Sequence, residues 1–222
     1  MDLYDRNNVY GPNRDFVKKE LYEDEALHLE VSKLKFRFMT DAQALLHGDL
    51  HTGSIFIRQD STKIFDCEFG TYAPMGYDVG NVVANLIFAY DNGLSTDDGP
   101  FCDWCLKTIE ETVDLFIEKF GRKYDEAVTE PMAKVKGFKE WYFDGILKDT
   151  AGYAGTELHR RTVGMANVVD VTTIQDEKKR LLAERINILA GKEYIMNQGA
   201  FRTGADYVAA GLRAKEAAQK TL

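Results

Sequence analysis

The sequence predicts an α+β fold that is mainly helical, and three observations carry that prediction. Apolar residues recur at helical spacing through most of the chain. One stretch near residues 55–65 switches to short β-rich runs around a turn. Composition completes the case: of 222 residues, 45% are hydrophobic, 29% are charged and only four are proline. A chain of that size and make-up can bury a large core without disulfides or a structural metal. No internal repeat, low-complexity tract or linker divides it, so residues 1–222 read as a single domain.

The first element in order is a long helix over Arg14–Ala44, interrupted near Tyr22, with Leu27, Val31, Leu34 and Phe38 as its apolar stripe. A hairpin follows, in which Ile55–Arg58 and Lys63–Phe65 flank the turn-forming Gln59-Asp60-Ser61-Thr62. Asp78 suits the cap of a helix whose apolar face is Val79, Val82, Val83, Leu86, Ile87 and Tyr90, with Asn92-Gly93 as its stop. Another helix runs from Phe101 to Gly121 through Ile109, Val113 and Phe116. Pro131 suits the first turn of the next, with Val135, Phe138, Trp141 and Tyr142 as core candidates. Two or three more helices fill Thr156–Lys220, including Ile174–Met196 and an alanine-rich tail. Trp104 and Trp141 fall on apolar helical faces, so both are expected in the core.

Several function classes are disfavoured at this level. Cys102 and Cys105 form a single C-x-x-C inside a helical pattern, with no second pair and no histidine at ligand spacing, so they read as reduced thiols. The net charge of −8 and scattered basic residues argue against a nucleic-acid partner, which is held by clustered Lys and Arg. No apolar run approaches the ~20 residues of a membrane span, and the polar first twenty residues lack a signal peptide's apolar stretch. A soluble, cytoplasmic protein without a membrane partner is expected.

The chemistry is concentrated in residues 47–68, which read His-Gly-Asp-Leu-His-Thr-Gly-Ser-Ile-Phe-Ile-Arg-Gln-Asp-Ser-Thr-Lys-Ile-Phe-Asp-Cys-Glu. If the hairpin turns around Asp60 and Ser61, strand residues pair when their numbers sum to ~121. Ser54 then lies opposite Cys67, and the Asp49 loop meets Asp66 and Glu68. Like charges ~4 Å apart repel by about 4 kcal/mol at an effective dielectric of ~20, so a cation is expected among these carboxylates. Mg²⁺ accompanying a nucleoside triphosphate suits oxygen donors of this kind. Asp66 and Glu68 would hold the metal, while Asp49 would accept or orient the proton of an attacking hydroxyl.

The order His47-x-Asp49, a polar residue five positions on, a strand, a turn and Asp66-x-Glu68 resembles the catalytic and metal-binding segments of aminoglycoside-phosphotransferase-like kinases. Four blocks narrow the likeness: His47–Ser54, Phe65–Phe69, Tyr72–Gly80 and Glu157-Leu-His-Arg-Arg-Thr-Val-Gly164. Together they resemble the S-methyl-5-thioribose kinases of methionine salvage. The resemblance implies the C-terminal lobe of a protein-kinase-like fold and ATP-dependent phosphorylation of 5-methylthioribose at its 1-hydroxyl, with Mg²⁺ and ATP as cofactors. It also implies a homodimer in the full-length family. Residue by residue, Asp49 matches the catalytic aspartate, and Asp66 and Glu68 match the Mg-ATP ligands. Arg160 and Arg161 match a pair lining the sugar and phosphoryl site, a sensible place for guanidinium charge. Asp78 matches an aspartate that caps a helix and braces the catalytic loop. Ser54 stands where many kinases carry a metal-binding Asn, and Cys67 where relatives often have Pro. His47 reads as a structural hydrogen-bonder, and His51 is divided between packing and substrate contact.

A kinase of this class carries a smaller lobe ahead of the catalytic loop, with a glycine-rich loop and a nucleotide-binding lysine. Here 46 residues precede His47, and Gly11 is their only glycine. The small lobe is therefore expected to be missing from this chain, and the isolated chain to bind Mg-ATP weakly and turn over little. Three alternatives stand beside this reading. One is a kinase for another small acceptor such as an aminoglycoside, choline or homoserine, and another is a non-catalytic binding remnant. The third is a metal-dependent phosphoesterase suggested by Gly48-Asp-Leu-His51, which would need more ligands than His28, His47, His51 and His159 supply.

Overall fold

A computed structural model describes residues 6–222; the first five residues of the expected 1–222 domain lie outside the described residues. Helix α1 (Arg14–Val17) runs into one π-turn at Lys18–Tyr22, and α2 (Glu25–Thr40) restarts beyond Asp24. The Asp24 carboxylate accepts from the Leu27 N–H at 2.9 Å, so the interruption expected near Tyr22 is made by a helix cap. The helix stops at Thr40 and not at Ala44, because Ala44–Leu46 forms strand β1. Three residues are too few for an alternating pattern to declare a strand.

Strands β2 (Ile55–Arg58), β3 (Ser61–Ile64) and β4 (Thr71–Ala73) follow. The β2–β3 hairpin is the expected one, but its turn is only Gln59-Asp60, so Ile55 pairs with Ile64. The Phe65 N–H donates to the Ser54 carbonyl at 3.1 Å, and Ser54 therefore faces Phe65 instead of Cys67. A two-residue connection matches the twist of the flanking strands, which is why the tighter register wins. Around this hairpin β1 pairs antiparallel with β4, Leu46 opposite Thr71. The two nested ladders hold residues 47–54 and 65–70 face to face.

The rest of the described chain is helical: α3 (Gly76–Ser95), α4 (Gly99–Ala127), a 3₁₀ turn at Pro131–Lys134, α5 (Phe138–Val163), α6 (Val169–Thr172), α7 (Glu177–Met196) and α8 (Gly204–Gln219). Helix α3 begins two residues before Asp78 and runs through Asn92-Gly93, so neither sequence signal marks its ends. Pro131 opens the 3₁₀ turn, and α5 starts only after Gly137. The core is shared by α3, α4, α5, α7 and α8 through residues such as Val83, Ile87, Ile109, Leu158, Tyr194 and Tyr207. Helices α3 and α5 meet backbone to backbone: a Cβ at Gly80 would lie 2.7 Å from the Ala154 nitrogen.

Both tryptophans depart from expectation, Trp104 being 54% and Trp141 67% exposed. The buried stripe of α4 is Cys102, Cys105, Ile109 and Val113, which turns Trp104 outward to stack on Phe101 at 5.7 Å. On α5 the buried stripe begins at Phe143, leaving Trp141 against Phe138 on the surface, and Val135 is likewise exposed. Cys102 and Cys105 are free, buried thiols, and burial raises both pKa values, Cys105 to about 12. Among the described residues no helix is long and apolar enough to cross a membrane.

Candidate active site

The His47–Ser54 loop is shaped by a glycine, a histidine and an aspartate. Gly48 adopts φ 86°, and a Cβ there would lie 2.1 Å from the Phe69 carbonyl oxygen, so only glycine lets the loop cross residue 69. His47 joins the two facing segments: its Nε2 lies 2.7 Å from the Phe65 carbonyl, and the Asp49 N–H donates to Nδ1 at 3.3 Å. These two bonds are satisfied together when the ring proton sits on Nε2. Asp78, in the first turn of α3, accepts from the His47 and Gly48 N–H groups at 2.7 and 3.1 Å. Burial raises its carboxyl above the ordinary value, against the pull of those two donors. Asp78 thus braces the loop from inside the helix rather than from its cap.

Asp49 is held by two adjacent arginines from the far end of the chain. Its Oδ1 accepts from Arg160 Nη2 at 3.2 Å and from Arg161 Nη2 at 3.5 Å. Both guanidinium groups are anchored in turn by Glu157, one helical turn earlier on α5 and 3% exposed. Glu157 accepts from Arg160 Nε at 2.7 Å and from Arg161 Nε at 3.0 Å. For Arg160, burial works against the charge, but the Glu157 hydrogen bond and carboxylate outweigh it and raise the pKa. The cation beside Asp49 is therefore a guanidinium pair. Glu157 is the residue that sequence reasoning did not single out. Its signal was present as spacing, because a carboxylate three and four residues before two arginines shares their helix face.

Asp66 and Glu68 lie beyond β3, opposite the His47–Asp49 loop, and both are exposed. Asp66 has φ 68°, a left-handed conformation that aspartate tolerates better than most residues. Neither carboxylate has a protein hydrogen-bond or ion-pair partner among the described residues. Among those residues no group of three His, Cys, Asp or Glu side chains is placed to hold an ion. Two water-facing carboxylates that leave the remaining positions to water and phosphate are nonetheless a donor set that Mg²⁺ uses, so Asp66 and Glu68 fit a metal shared with a nucleotide. Ser54 is 2% exposed, with its hydroxyl 3.2 Å from His51 Nε2, and that same nitrogen is 3.9 Å from Asp49 Oδ2. His51 stands between Ser54 and Asp49 and makes polar contact with both.

A mainly helical lobe whose nested hairpins present a His-Gly-Asp loop to an arginine pair has the architecture of a kinase-like C-terminal lobe, and residues 12–101 match the Phosphotransferase enzyme family, APH. Within that class the chain is similar to methylthioribose kinases. It is 39% identical over 195 residues to the methylthioribose kinase of Geobacillus sp. (strain WCH70), which covers 88% of this chain and 48% of that protein. It is 38% identical over 192 residues to that of Bacillus cereus (strain B4264), covering 86% and 48%. For Geobacillus kaustophilus (strain HTA426) the figures are 37% over 204 residues, 92% and 50%. The chain spans about half the length of the curated relatives it matches.

Proposed function

We propose that this lobe supplies the acceptor site and catalytic loop of an ATP-dependent kinase, and that the whole protein transfers the γ-phosphoryl of ATP to the 1-hydroxyl of 5-methylthioribose in methionine salvage. The observation that carries the reading is the convergence of Arg160 and Arg161 on Asp49 across 111 and 112 residues of sequence. Asp49 orients the acceptor hydroxyl and takes its proton, and the loop bonds from His47 and Asp78 hold it in place. Arg160 and Arg161 meet the charge on the transferring group, a role for which Glu157 keeps both guanidinium planes aligned. Asp66 and Glu68 would hold the Mg²⁺ that accompanies ATP, whose contribution is charge neutralisation on the phosphates. Ser54 and His51 complete the loop, His51 on the acceptor side. Methylthioribose as acceptor is supported by the relatives' names, and the sequence blocks around Asp49 and Arg160 support it by similarity. We place the reaction in the cytoplasm, on soluble metabolites without nucleic-acid or membrane partners, in a protein that is a homodimer when whole.

The test is ATP-dependent phosphate transfer measured as ADP release. The chain alone is expected to turn over little with methylthioribose. Co-expression with the half of the Geobacillus relative that it does not match is expected to restore transfer, and Asp49→Asn in the same pair to abolish it. Efficient phosphorylation of an aminoglycoside or choline, with methylthioribose left untouched, would overturn the acceptor assignment.

A further inference from the structure

A groove of about 800 Å³ runs between β1, α3 and α4, and neither Asp49 nor Arg160 lines it. That volume falls within the roughly 300–1,000 Å³ of small-molecule sites. Leu46 and Val82 belong to one wall, Leu115 and Phe116 to the other. From Thr108 to Lys123, α4 turns one stripe toward the groove at steps of three and four, a run of about 22 Å at 1.5 Å per residue. The hollow is therefore a trough that suits an extended chain. Four charged side chains border it: Asp78, Glu111, Lys119 and Lys123. Three are already answered within the protein. Asp78 accepts from the His47 and Gly48 N–H groups, Glu111 lies 3.5 Å from Lys107, and Lys123 lies 2.7 Å from Glu126. Lys119 has no ion-pair or hydrogen-bond partner among the described residues. A long apolar trough with one unanswered cation is complementary to an apolar tail that ends in one negative head.

We propose that this groove binds a free aliphatic monocarboxylate, with its chain between Leu46, Val82 and Leu115 and its carboxylate on Lys119, and that the bound chain steadies the His47–Ser54 loop. Burial of the chain supplies the affinity. Each methylene taken out of water should tighten binding about threefold to fourfold. The head group sets the sign of the selectivity, because Lys119 attracts a carboxylate and repels an ammonium. The link to the loop is a matter of position. Leu46 directly precedes His47, Leu50 directly follows Asp49 and also lines the groove, and Asp78 at its border is the brace of the loop. Since neither Asp49 nor Arg160 lines it, the occupant takes no part in transfer and acts on the loop through these three residues.

Calorimetric titration of the chain with decanoate, dodecanoate and dodecylammonium, each below its micelle-forming concentration, tests this. Wild type is expected to bind one dodecanoate, about tenfold more tightly than decanoate and about fivefold more tightly than dodecylammonium. Lys119→Glu should reverse the preference between the two head groups. Leu115→Glu, which sets a charge on the apolar wall, should weaken both long-chain ligands about tenfold or more. Both side chains are exposed, so both variants should fold. Saturation with dodecanoate should slow amide exchange at His47 and Gly48. Equal affinity for decanoate and dodecanoate, or a head-group preference that Lys119→Glu leaves as it was, overturns the assignment of the groove. Exchange that dodecanoate leaves unchanged overturns the link to the loop. Sedimentation equilibrium tests a second copy as the occupant: a wild-type dimer that Leu115→Glu converts to monomer would make the groove an interface between copies and overturn the carboxylate. Tight binding of an acidic amphipathic helical peptide by a groove that takes no dodecanoate would do the same.

Discussion

The two sides of the His47–Ser54 loop handle charge in opposite ways. On the α5 side each charge has a partner within the protein: Asp49 is held by Arg160 and Arg161, and both arginines by the buried Glu157. On the strand-end side Asp66 and Glu68 stand exposed, with no protein partner among the described residues. The α5 side is preorganised by one helix, whereas the other side presents carboxylates that no described protein residue neutralises. Under the proposed kinase reading, the first side is complete in the lobe and the second is completed only by a metal-bound nucleotide.

Asp49→Asn, assayed where transfer can be measured, puts the largest strain on that contrast. It is expected to lower kcat by ~10²–10⁴-fold with nucleotide affinity nearly unchanged, whereas Asp66→Ala should weaken nucleotide binding and abolish its Mg²⁺ dependence. Equal, modest effects from both would erase the division of roles.

Stability is the next readout. Glu157→Ala leaves two guanidinium groups without their buried anchor and should cost about 2–3 kcal/mol in urea unfolding. Glu68→Ala, on the exposed side, should stay within about 0.5 kcal/mol. A loss at Glu68 as large as at Glu157 would show that the strand end is built into the fold.

The helix that carries the arginines also titrates. Burial raises the Asp149 carboxyl from 3.8 to about 6, against the attraction of Arg37 at 3.0 Å. A carboxyl raised in the folded state binds its proton more readily there than in the unfolded chain. Its contribution to stability is therefore greatest in acid and declines as pH rises from about 4 to about 6. Wild type should lose about 2 kcal/mol relative to Asp149→Asn across that window, as read from unfolding free energies. A difference that does not vary with pH would show that Arg37 keeps Asp149 ionised throughout.

Asp78→Asn should have a smaller effect than Glu157→Ala, since the amide oxygen still replaces one of the two acceptors. A cost of about 1 kcal/mol is expected, together with faster amide exchange at His47 or Gly48. Unchanged exchange at both would remove Asp78 as the brace of the loop.

Much of this lobe was legible because helix periodicity and turn chemistry act over three or four residues, which is why the helices, the hairpin and the break near Tyr22 could be read. The candidate residues of the His47–Glu68 stretch were legible for a related reason, being carried on one continuous motif. Strands β1 and β4 escaped because three residues carry no period, and Trp104 and Trp141 were misplaced because propensity does not say which helix face meets a neighbour. The hairpin register turned on whether two or four residues made its turn, a choice settled by strand twist. Only the folded chain could bring Asp49 under two arginines 111 and 112 residues away, or set Leu46 and Leu115 in the walls of one groove. Such contacts depend on how helices pack across the core, and no local pattern encodes that distance.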